Sequence, residues 1–179
     1  MKTPRGFFSI TIQTKPYLKK YLQSLYGEPL MFTTDNSFGI IVESLLTRPT
    51  EDHHSAVELK QRFDKFTAPL EIFIPNRYLF KRKGFAITDR HTISLNKFFE
   101  KQFSEQLLSW CEMGVIYEVE FKKNIEDFCW RHKINIGEEA DDDITFDALK
   151  KKEWRFRKKK QEKLKESAPP LVPSQIAYF

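Results

Sequence analysis

SLNKFFEKQFSEQLLSW, residues 94–110, carries Leu95, Phe98, Phe99, Phe103, Leu107 and Leu108 at three- and four-residue spacing, with Lys97, Glu100, Lys101 and Glu105 between them. That period lines the apolar side chains along one stripe of a helix, and such a stripe needs a packed partner to leave water. The stretch therefore predicts an amphipathic helix, capped by Ser94 or Thr92. Downstream, Gly114 marks a break, after which Val115, Ile116, Val119, Phe121, Ile125, Phe128, Cys129 and Trp130 continue the helical period toward His132. The middle of the chain reads as helical.

Upstream the period changes. Phe7–Ile12 (FFSITI) puts Phe8, Ile10 and Ile12 on one side, and Leu70–Ile74 (LEIFI) alternates in the same way before Pro75 and Asn76 stop it. Both read as half-buried strands. Between them, Pro16–Tyr26 has Tyr17, Leu18, Tyr21, Leu22 and Leu25 at helical spacing, opened by a proline and closed by Gly27. Leu30–Thr33 reads as a short strand. A second helix runs to Leu46 with Phe38, Ile41, Val42 and Leu45 inward, and Asp35, Asn36 and Ser37 offer its cap. Ala56–Phe66 leans to helix, and Tyr78–Thr88 reads as a hairpin bent near Gly84. The fold class is α+β: a small N-terminal sheet with helices, a long helical middle, a basic C-terminal helix and an extended tail.

Charge divides the chain further. Glu138, Glu139, Asp141, Asp142 and Asp143 repel one another and predict an exposed joint. Residues 150–165 then hold ten Lys or Arg against two Glu, so a formal net charge of +5 conceals a local +8 and leaves −3 for the rest of the chain. The domain reading is an α+β core at 1–137, the acidic joint and basic helix at 138–167, and a proline-containing tail at 168–179. Asp143 or Thr145 can cap the helix, and Asp147 suits the positive end of its dipole. Phe146, Leu149 and Phe156, with Trp154 nearby, form a narrow docking stripe.

Crowded cations repel one another, and a bound polyanion relieves that repulsion. The candidate nucleic-acid contacts are Lys150, Lys151, Lys152, Arg155, Arg157, Lys158, Lys159 and Lys160, with the two arginines able to reach a base edge in bidentate fashion. A secondary patch interleaves Arg77, Lys81, Arg82 and Lys83 with Tyr78 and Phe85. Lys83–Ala86 matches the first half of an RNA-recognition consensus, but Ile87, Thr88 and Arg90 fail its second half. The patch reads best as a solvated hairpin tip.

The chemistry-bearing residues are few. Cys129 and His132 have a metal-like spacing, but Cys111 and scattered histidines do not complete a ligand set, so neither metal nor cofactor is expected. With no nucleotide-cradling loop and no nucleophile beside an evident base, the reading is non-enzymatic. Two cysteines in a lysine-rich chain with no apolar leader and no membrane-length apolar run predict reduced thiols, a cytoplasmic location and no membrane association. KPYLKKYL at 15–22, LNKFFEKQF at 95–103 and LKKKEWRFRKKK at 149–160 together resemble small proteins of bacterial prophages and other mobile elements. The resemblance implies DNA binding and assigns no residues.

The sequence thus predicts a DNA-binding accessory or regulatory protein that contacts phosphates through its basic helix. The alternative is a structural or assembly protein of a phage or mobile element, acting through protein contacts that include the tail, where Tyr178 and Phe179 can anchor.

Overall fold

The computed structural model describes residues 5–31, 37–46, 65–76, 87–137 and 143–167. The expected helix from Ala56, the hairpin with the Arg77, Tyr78, Lys81, Arg82, Lys83 and Phe85 patch, most of the acidic block and the tail from Ala168 lie outside the described residues. So do the caps Asp35 and Asn36.

The described chain is α+β. Its elements are β1 (Phe7–Thr14), α1 (Pro16–Tyr26), β2 (Leu30–Met31), α2 (Ser37–Leu45), β3 (Ala68–Pro75), α3 (Asp89–Ile116), α4 (Phe121–Arg131) and α5 (Phe146–Ser167). The sheet order is β1-β3-β2. β3 runs antiparallel to β1, from Phe7 opposite Pro75 to Thr14 opposite Ala68, and pairs in parallel with Leu30 and Met31. Strand alternation turns Ile10, Ile12, Leu70, Ile72 and Ile74 inward, and helices cover that face. Asn96 of α3 fastens the end of β1. It accepts from the Thr14 hydroxyl at 2.6 Å and donates to the Gln13 carbonyl at 2.8 Å.

The helix read from residues 94–110 is longer than its apolar stripe. It begins at Asp89 and is capped by Thr88, whose hydroxyl accepts from the His91 amide at 3.3 Å. Thr92, expected as a cap, is instead buried inside the helix. Leu95, Phe99, Phe103, Leu107 and Cys111 are buried along one side, so the stripe extends a turn past Leu107.

Gly114 does not break this helix. The turn comes three residues later, where Tyr117 caps α3 and Glu118 enters the left-handed region at φ 56°. There the Val119 amide bonds the Gly114 carbonyl at 2.9 Å and the Glu118 amide bonds Val115. α4 ends the same way: Lys133 has φ 55°, and the amides of Ile134 and Lys133 reach the carbonyls of Cys129 and Trp130. Both ends are Schellman motifs with a charged residue where glycine is usual. Left-handed backbone is disfavoured for such residues, so neither sequence flags its own turn.

Gly114 serves close packing instead. A Cβ there would lie 1.8 Å from Asn124 Nδ2, and that amide donates to the carbonyls of Trp110 at 3.2 Å and Cys111 at 3.4 Å. Gly114→Ala is expected to cost about 1–2 kcal/mol despite alanine's better helix propensity, because Asn124 must abandon both carbonyls. In an Asn124→Ala background the same change should become neutral or stabilising. Denaturant midpoints of the four proteins check this; equal effects of Gly114→Ala in both backgrounds would contradict the close-packing role.

Candidate nucleic-acid interface on the C-terminal helix

α5 begins where the sequence places it. The Thr145 hydroxyl caps it by accepting from the Ala148 amide at 3.2 Å, and Asp147 lies in the first turn. Asp143, the other candidate cap, has a different task. Its carboxylate takes Lys20 at 2.6 Å and the Asn135 amide at 2.7 Å, while its own amide bonds the Asn135 carbonyl. The end of the acidic block is therefore tied to α1 and to the segment after α4, where the sequence predicts an exposed joint. Ile136 bridges Ile144 across the intervening residues.

Leu149 is fully buried, and Phe146 packs half-buried against the same core. The stripe is not purely apolar, because Glu153 is also buried, 2% exposed, between Leu149 and the half-buried Phe156. Arg157, one turn on, compensates that carboxylate through Nε at 2.8 Å and through a second guanidinium contact. A buried carboxylate without a cation would be strongly destabilising, so this arginine is committed to the fold.

Two lysines reach across to α3 instead. Lys152 approaches Glu100 at 3.8 Å and lies 5.5 Å from the centre of the Tyr17 ring. Lys160 bonds Glu112 at 2.8 and 3.1 Å. Glu100 and Glu112 both belong to α3, and their partners ascend α5 in the same order, so the two helices run in the same direction. Between them lies an open cleft of about 460 Å³ with Leu108 and Phe156 in its lining and Lys159 and Lys163 among its cations.

Of the other predicted contacts, Lys159 lines that cleft, and Lys150, Lys151, Arg155 and Lys158 fall around the outer side. Lys150, Lys151, Arg155, Lys158 and Lys159 are exposed and make no ion pair among the described residues. The eight cations named from sequence thus divide into three paired with carboxylates, of which Lys152 and Lys160 reach α3 and Arg157 stays within α5, and five exposed without an ion pair among the described residues. Trp154, expected beside the docking stripe, is 57% exposed among the outer cations, with the Lys158 ammonium 5.4 Å from its ring centre. The signal was available: Trp154 follows Leu149 by five positions, about 140° around the helix.

Burial pushes both thiols, Cys111 and Cys129, up to about 12, which removes them from nucleophilic chemistry near neutrality. His132 is buried beneath Tyr21 and Phe128, shares a hydrogen bond with Ser24 through Nδ1, and has its pKa lowered by that burial and by Arg131. Among the described residues no cluster of His, Cys, Asp or Glu could hold a metal ion, and no helix is long and apolar enough to cross a membrane. No protein-family model, curated protein or solved structure matches this chain.

Glu100 links docking to pH. Burial alone would raise its pKa, but the hydrogen bond from Lys15, the charges of Lys152 and Lys15, and the Tyr17 hydroxyl outweigh burial and bring it below the ordinary carboxylate value. A lowered folded-state pKa contributes stability that is complete above the unfolded value of about 4.3. That contribution is lost as pH falls from there through the folded value. Glu100→Gln should therefore flatten the acid limb of the stability-against-pH curve and leave its shape above about pH 6 unchanged. Thermal melts from pH 3 to 8 read this out; an unaltered acid limb would contradict the clamp.

Proposed function

We propose that this protein is a non-enzymatic nucleic-acid-binding accessory or regulatory protein, with DNA as its ligand, contacting phosphates through the outer face of α5. The observation that carries the reading is the division of cations along that helix. Lys152, Arg157 and Lys160 are matched to carboxylates, whereas Lys150, Lys151, Arg155, Lys158 and Lys159 are exposed without an ion pair among the described residues. Five unpaired cations within ten residues repel one another, and phosphates relieve that repulsion while releasing their counterions.

Scale supports the same ligand. Lys150 to Lys159 spans about 14 Å of helix, the length of roughly four phosphates along one strand at about 3.4 Å each. Four of the five unpaired cations are lysines, which favours contact to the phosphate chain over reading of base edges. A role in the cytoplasm, on a phage or other mobile element, belongs to the same proposal and rests on the resemblance of three short segments.

A second reading, an assembly protein acting through protein contacts, is favoured by a separate feature. Val115, Ile116 and Tyr117 at the end of α3 are 70–75% exposed and contiguous, an apolar knuckle well away from the outer face of α5 in sequence.

The test is a titration of labelled single-stranded and duplex DNA at two salt concentrations. It compares wild type with a variant in which Lys150, Lys151, Arg155, Lys158 and Lys159 are changed to Gln, leaving the three paired cations in place. Wild-type affinity should fall with salt at a logarithmic slope of roughly −3 to −4, as about four phosphate contacts require. The variant should lose most of both the affinity and the slope. Equal binding by the two proteins would overturn the proposal, and salt-independent self-assembly through the α3 knuckle would favour the second reading.

A further inference from the structure

The outer face of α5 is not only cationic. Trp154 stands at its centre with Lys150 and Lys151 one turn before it, Arg155 beside it and Lys158 one turn after it. Lys150, Lys151 and Lys158 hold the positions that neighbour a helical residue in space. The ring is 57% exposed and on the side of the helix away from buried Leu149. The Lys158 ammonium stands over the ring, 5.4 Å from its centre.

An isolated exposed tryptophan is ordinary, and this chain supplies its own comparison. Trp130 on α4 is more exposed, at 82%, but its neighbours one turn earlier are Glu126 and Asp127. A polyanion approaching Trp130 meets those carboxylates, and the adjacent Arg131 is turned over the Trp110 ring. A polyanion approaching Trp154 meets Lys150 and Lys151 one turn before the ring and Lys158 one turn after it.

We infer, building on the reading of α5 as a phosphate-binding helix, that its preferred ligand is single-stranded nucleic acid, with Trp154 stacking on an unpaired base. In a duplex the base faces are occupied by neighbouring bases, so one indole on a helix surface has nothing to stack on. A single strand offers those faces freely, and phosphate tracking combined with aromatic stacking is the general means of binding it without regard to sequence. The flanking lysines fix the backbone, and the indole then distinguishes unpaired from paired strands.

The experiment uses the full chain carrying Trp110→Phe and Trp130→Phe, so that fluorescence reports on Trp154, with an oligo-dT strand and a duplex of equal length as probes. Oligo-dT should quench the fluorescence. Trp154→Ala should weaken oligo-dT binding roughly tenfold or more, since each stacked base contributes about 1–3 kcal/mol. Trp154→Phe should keep most of the affinity, and the salt slope and duplex affinity should not change with either substitution. An exposed side chain is altered, so the fold is retained.

Unchanged oligo-dT affinity in Trp154→Ala would overturn the inference, while loss of that affinity on neutralising Lys151, Arg155 and Lys158 would leave the phosphate-binding helix standing. Undiminished binding by the neutralised variant would sink both. Anionic phosphatidylglycerol vesicles serve as a further probe: if Trp154→Ala weakens vesicle binding but not oligo-dT binding, the indole belongs to a membrane surface and the inference fails.

Discussion

The packing around Phe103 holds the described structure together. Its ring receives Tyr17 at 5.0 Å and Tyr21 at 5.2 Å from α1, and meets Phe128 of α4 at 5.5 Å, all in edge-on geometry. One fully buried ring therefore joins three helices, and edge-on contact suits the charge distribution of aromatic faces. The sheet meets the same assembly through Asn96 and through the apolar side chains of β1 and β3. Removing so large a ring would leave a cavity at the junction of all these elements, with a cost of about 3–5 kcal/mol.

This arrangement determines what α5 can do. Because α3 is fixed by its buried side, Glu100 and Glu112 are held at set positions along its other side, where they receive Lys152 and Lys160. Leu149 adds apolar contact, and the Glu153–Arg157 pair satisfies a carboxylate that the docked face encloses. The polar contacts orient the helix, and their stability contribution is modest where they are exposed. Their consequence is rotational: with Lys152 and Lys160 reaching α3 and Lys159 on the cleft between the helices, Lys150, Lys151, Arg155, Lys158 and Trp154 are left on the outer side. A surface held in one orientation meets a ligand without first ordering itself, which lowers the entropic cost of association.

Much of this was legible because periodicity survives folding. FFSITI and LEIFI became β1 and β3, and the stripe from Leu95 to Leu108 became the centre of α3. The misread features have local reasons. Thr88 gives no local sign of being the cap because Thr92 and Ser94 lie nearer the apolar run, yet the helix extends a turn beyond its own stripe. Gly114 looked like punctuation because its partner Asn124 is distant in the linear pattern, and the real turns use Glu118 and Lys133, residues that carry no turn signal. Glu153 is invisible to a count of apolar positions, although Arg157 four residues on was a clue. Asp143 found Lys20 across more than a hundred positions, a contact that no local rule reaches.

The division of α5 into inward and outward cations is the central claim, and lysine reactivity measures it directly. The full chain is treated with a limiting acylating reagent, with and without an oligo-dT strand, and each lysine is read by mass spectrometry. Without nucleic acid, Lys152 and Lys160 should react slowly and Lys150, Lys151, Lys158 and Lys159 quickly; added strand should slow the second group and leave the first unchanged. Uniform reactivity along the helix, or protection confined to Lys152 and Lys160, would contradict the account.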